Sequence, residues 1–140
     1  MTARHTPKLA GDRVDRAAGV VLATACGDAL GAGYEFGPPL SEDTAVGMVG
    51  GGSFGWAPGE WTHDTSMAVT IAEVAATAAD LCAPAALDAI AVRWVAWARS
   101  AADVGIQTRA VLSAAGRVPT GAALTAAATA HHARSGQSSQ

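Results

Sequence analysis

Thr62, His63 and Asp64 stand together where a glycine-rich loop gives way to a helix-patterned run, and Glu35 lies ahead of that loop. A hydroxyl, an imidazole and a carboxylate in consecutive positions at a helix mouth are suited to a phosphate, or to a cation carrying one. The first turn exposes backbone N–H groups in a partly positive field. The same residues read equally well as a helix cap, with Asp64 or Thr65 accepting from first-turn amides. Glu35, by residue type alone, is a surface glutamate beside a loop.

The elements that must position these groups are helical. From Met67 the residues Met67, Ile71, Val74, Ala78 and Leu81 recur at steps of 4, 3, 4 and 3, one face of a helix. Upstream, Asp12 is a plausible cap for a first helix whose face is Val14, Ala18, Val21, Ala25 and Ala29, ended by Gly31 and Gly33. Gly19, Ala23 and Gly27 on it would admit a close neighbouring helix. Asp28 falls on its last turn, where the helix dipole disfavours a carboxylate, so a hydrogen-bonded structural role with a compensating partner is expected. A third helix starts at Pro84 with Leu87, Ile90, Ala91, Trp94 and Ala98 inward, a fourth spans 107–115 and closes at Gly116, and a fifth opens at Pro119–Thr120 and reaches Arg134. His131 and His132, near its C-terminus, suit capping better than metal ligation.

Between the first two helices, 36–61 holds seven Gly and three Pro in 26 residues. A loop of that length is either functional or disordered, and Trp56 and Trp61 argue for order. Ala45–Val49 can form a short strand, and Gly50–Gly55 satisfies GxGxxG. The dinucleotide reading fails because Pro58 and Gly59 follow at once and no βαβ alternation surrounds the glycines. No Walker-type phosphate loop is present.

With 140 residues, 35 of them Ala and seven aromatic, the core must come from close helix packing, and a single all-α domain is expected. The expected limits are a loose tail at 1–11, a helical domain at 12–134 and a polar tail at 135–140. A net charge of −3 with scattered basic residues offers no stripe for nucleic acid. Cys26 and Cys82 lack metal or redox spacing, so buried, inert, reduced thiols and a cytoplasmic location are expected. Ala23–Cys26 loosely resembles a lipoprotein cleavage site, but Asp12 and Asp15 sit where its basic region belongs. No apolar run is expected to reach the length of a membrane span.

Two segments carry a family resemblance. Gly19 to Glu35, GVVLATACGDALGAGYE, resembles the opening helix of the ADP-ribosylglycohydrolases, and Gly59 to Met67, GEWTHDTSM, is similar to that family's Gly-x-Trp-Thr-Asp-Asp-Thr-x-Met motif. Asp103-Val104-Gly105 with Thr108 is a weaker third match. The resemblance implies an all-helical fold of about five helices in an orthogonal bundle, matching the N-terminal half of a family domain. It also implies two Mg2+ ions, or Mn2+, and hydrolysis of the glycosidic bond joining ADP-ribose to a protein side chain or small acceptor. Carried over by position, Thr62, His63 and Asp64 take the metal-ligand places, Glu35 the acid/base carboxylate, and Gly31, Gly33 and Thr65 the substrate-facing places.

The sequence departs from the pattern at His63, where the family has Asp, and lacks the family's Asp-x-Asp-Thr, since only Glu73, Asp80, Asp88 and Asp103 follow Asp64. Imidazole suits Zn2+, Ni2+ or Mn2+ better than Mg2+. The expectation is therefore an ADP-ribosyl hydrolase fold inactive as this chain alone, with self-association or a complementing C-terminal half as partner. The alternatives are a non-catalytic ADP-ribose-binding module and a small structural helical protein.

Overall fold

A computed structural model describes residues 11–135. The expected tails at 1–10 and 136–140 lie outside the described residues, while Gly11 and Ser135 belong to helices. The elements are α1 (Gly11–Gly31), a 3-10 turn (Ala32–Tyr34), α2 (His63–Ala76), α3 (Pro84–Trp97), α4 (Ile106–Ser113) and α5 (Gly121–Ser135). The fold is all-α as expected, with no strand among the described residues; the segment 45–49, expected as a short strand, is loop, and the isolated antiparallel bridge near it joins Gly51 and Trp56 instead. The chain divides into two compact units, 1–69 and 70–140, with the boundary inside α2.

In the first unit, α1 buries only the C-terminal part of its expected face. Ala29 is buried and Val21 and Ala25 are half-buried, but Val14 and Ala18 are exposed, and nothing approaches Gly19 or Gly27 closely. The small residues there hold no neighbouring helix. One further expectation is corrected: the helical stretch Gly11–Tyr34 is, by length and composition alone, long and apolar enough to cross a membrane.

The glycine-rich loop is tied down by local bonds. The Tyr34 hydroxyl donates to the Gly47 carbonyl at 3.0 Å and accepts from the Gly47 N–H at 3.1 Å. Gly51 and Trp56 exchange backbone hydrogen bonds of 2.7 and 2.8 Å, closing a turn in which Gly51, Gly52 and Gly55 all have positive φ. That explains the GxGxxG spacing as turn chemistry. At Gly33 the chain approaches the Gly50 carbonyl so closely that a Cβ would collide with it. Phe54 packs between Phe36 and Trp56, with ring centroids 6.4 and 5.7 Å away.

In the second unit the core has two parts. Val74, Ala86 and Ile90 pack with Ile71 and Leu81, and Ala91, Leu112, Ala115 and Leu124 pack with Trp94 and Trp97. Pro84 opens α3 as expected, its missing N–H falling where no intrahelical bond is made. Leu87 departs from the expected inner face and is exposed, although Gly121 stands so near its Cβ that a side chain there would collide with it. The Asp88 carboxylate accepts the Gly121 N–H at 2.9 Å and Thr120 Oγ1 accepts the Ala123 N–H at 3.1 Å, so the start of α5 is satisfied twice over. α2 ends at Ala76, two residues before Ala78 with φ 59°, so Ala78 and Leu81 do not continue the expected helical face.

Candidate functional site

The mouth of α2 is built around Asp28. Its Oδ1 accepts the Thr62 hydroxyl at 2.7 Å, and its Oδ2 accepts the Thr62 N–H at 2.9 Å, the Thr65 N–H at 3.0 Å and the Thr65 hydroxyl at 2.6 Å. The cap of α2 is thus neither Asp64 nor Thr65, as the spacing suggested, but a carboxylate from 34 residues upstream of Thr62. The arrangement resolves two problems at once. Asp28 gains the donors that offset its place at the C-terminal end of α1, and α2 gains an anion at its positive end. Burial pushes the Asp28 carboxyl up, but the Thr65 and Thr62 hydroxyls and then their two amides outweigh it and hold it below its ordinary range.

This clamp brings distant residues to one cleft of about 500 Å³, lined among others by Asp28, Gly31, Glu35, Thr62, His63 and Asp64. Four of the expected site residues, Glu35, Thr62, His63 and Asp64, therefore meet, together with Gly31. Two do not line it: Gly33 stands against Gly50, and Thr65 is 1% exposed with both its N–H and hydroxyl committed to Asp28. Thr24, Gly27, Ala32 and Tyr34 complete the wall, and none of them is marked as a site residue by its sequence setting. The α-helical step of three to four residues from Asp28 back to Thr24 is the signal that would have found one of them. His63 Nε2 lies 3.3 Å from Asp64 Oδ1, and the Asp64 side chain is largely exposed.

Residues 9–139 match the ADP-ribosylglycohydrolase family. The chain belongs to that family. Among curated proteins it is similar to an ADP-ribosylarginine hydrolase Tri1 of Pseudomonas putida (strain GB-1), 50% identical over 60 residues, which are 43% of this chain and 16% of the relative. It is likewise similar to an ADP-ribosylarginine hydrolase Tri1 of Serratia proteamaculans (strain 568), 47% identical over 62 residues, 44% of this chain and 17% of the relative. The matched part thus spans about a sixth of each of these relatives. No solved structure matches the chain.

The family is metal-dependent, and the donor set of this cleft can be tested against that. Among the described residues no three His, Cys, Asp or Glu side chains converge as a metal site. Asp28 accepts four hydrogen bonds, which leaves as main donors Glu35, Asp64, the Thr62 oxygen and, at His63, an imidazole where a carboxylate would add charge. Two hard divalent cations require about six oxygens each, several of them anionic. The donors of the described residues do not fit that pair by themselves.

Proposed function

We propose that this chain forms the helix-mouth wall of an ADP-ribosyl-binding cleft and that, alone, it binds the ADP-ribosyl group without hydrolysing it. The observation that supports this is the meeting of Glu35 with Thr62, His63 and Asp64 in one cleft, from segments separated by the whole glycine-rich loop. Arginine-linked ADP-ribose is the favoured substrate class, because both curated relatives carry that activity in their names.

In this reading each residue has a defined task. The Thr62 hydroxyl donates to Asp28 and keeps lone pairs for accepting a ribose hydroxyl. In the complete family site Glu35 would be the carboxylate that exchanges a proton with the glycosidic oxygen or with water, the aid expected for an oxocarbenium-like transition state. His63 and Asp64 face the same cleft as polar partners for the diphosphoribosyl group. Mg2+, or Mn2+ given the imidazole, is the proposed cation of the complete family site; the carboxylates that would hold it tightly are not supplied by the described residues.

Calorimetry of the purified chain with ADP-ribose, with and without Mg2+ or Mn2+, tests the proposal. Saturable heat that Asp64→Ala diminishes is the expected result. Absence of heat under every condition sinks it and leaves a structural helical protein as the better description.

A further inference from the structure

A second concave site lies within the unit 70–140 and shares no residue with the cleft at the mouth of α2. It encloses about 260 Å³ and is lined by Val95, Ala98, Arg99, Arg109, Leu112 and Ser113, with Gly116 at its edge. Its lining combines the apolar Val95, Ala98 and Leu112 with two arginines and the hydroxyl of Ser113. Neither arginine side chain has an ion-pair or hydrogen-bond partner among the described residues.

The unit contains four carboxylates, and none lines the cleft. Glu73 faces Arg93 at 3.9 Å, Asp80 accepts the Cys82 N–H, Asp88 accepts the Gly121 N–H, and Asp103 is buried with a partner of its own. Every acidic side chain of the unit is thus occupied, while Arg99, from the turn after α3, and Arg109, from α4, line one small space. In a chain whose net charge is −3, two unpaired cations on one concavity mark an anion site.

We propose that this cleft binds the phosphate group of a small organic phosphate. Guanidinium groups present planar, paired donors that match phosphate oxygens, and Ser113 adds a further donor. The volume admits a phosphate and part of the group that carries it, and Val95, Ala98 and Leu112 in the lining offer that carrier an apolar contact that free phosphate cannot use. The site does not rest on the ADP-ribosyl reading of the other cleft.

The test is a titration of the full isotope-labelled chain with inorganic phosphate and, separately, with AMP, following backbone amide resonances. Both probes are expected to shift Ser113 and Gly116, with AMP acting at lower concentration. Arg99→Ala and Arg109→Ala should each weaken that response about tenfold or more, the loss of one charge-assisted contact. Glu35→Gln in the other cleft should leave it unchanged. Both arginines are exposed, so the variants are expected to fold, and an unchanged thermal melt verifies it. No shift with either probe, an equal response in the arginine variants, or a response to phosphate with AMP excluded would each overturn the proposal.

Discussion

Thr65 gives both its backbone N–H, at 3.0 Å, and its hydroxyl, at 2.6 Å, to the same carboxylate oxygen of Asp28. With the matching pair from Thr62, one side chain at the end of α1 satisfies four donors at the start of α2. The cleft residues His63 and Asp64 sit between those two threonines in sequence, so their place is set by a bond neither of them makes.

Asp28→Ala should therefore cost more than an ordinary cap. Thr62 and Thr65 are both buried, and removal of their acceptor leaves donors that water reaches poorly. A loss of about 2–4 kcal/mol is expected by urea denaturation, above the range of a single cap because several donors are orphaned together. Asp28→Asn should lose nearly as much, since one of the two threonines then faces an N–H2 group. A loss no larger than that of an exposed surface substitution would show that the clamp is not formed in solution.

Acid should act through the same residue. The Asp28 carboxyl is held below its ordinary range in the folded chain, so its contribution is fully present above the unfolded value and is lost as pH falls through the folded one. Below about pH 4 the stability of the native chain should fall more steeply than that of Asp28→Ala, which has no such proton to take up. Parallel pH–stability curves for the two proteins would count against this.

The cysteines reverse what their sequence setting suggested. Cys26 and Cys82 are both exposed, although each sits in an apolar helical pattern. A thiol reagent is expected to label both in the native state, with no further rise on unfolding, because access rather than burial governs the reaction. A lag that ends only on addition of denaturant would restore the buried assignment.

That reversal shows where the sequence is legible and where it is not. Helix positions come from local signals, and Pro84, the Thr120 cap and the glycine-rich loop all stand near where those signals put them. Helix faces are relational. Periodicity assigns Val14 and Ala18 to a buried stripe, but burial requires a neighbour, and nothing in the pattern states that none approaches there. Asp28 lies between these cases: the unfavourable dipole demanded a partner, but Thr62 and Thr65 are 34 and 37 residues away, beyond the reach of any local rule. The end of α2 failed for another reason, since Ala78 takes a positive φ that an Ala-rich segment does not announce. The cleft was readable in part because its residues cluster in two short motifs; Thr24, one helical turn before Asp28, becomes a wall residue only once Asp28 is known to face the cleft.

The chain alone should not release ADP-ribose from ADP-ribosylated arginine, and His63→Asp alone should not change that. The argument is a count of anionic oxygens. Asp28 lines the cleft, but three of its four hydrogen bonds fall on Oδ2 and the fourth on Oδ1, so it offers a cation at most the spare lone pair of Oδ1. Glu35 and Asp64 remain, and an aspartate at position 63 would bring the carboxylates free for ligation to three, still short of what two hard cations share. His63→Asp should therefore tighten Mg2+ or Mn2+ binding several-fold in calorimetry, by adding one charged ligand, while the release assay stays at background. Supplying a segment with Asp-x-Asp-Thr together with His63→Asp is expected to raise release above background, and Glu35→Gln in that combination should abolish it. Metal-dependent release by the unmodified chain would overturn the count, and would mean that His63 or a second copy provides the missing ligand.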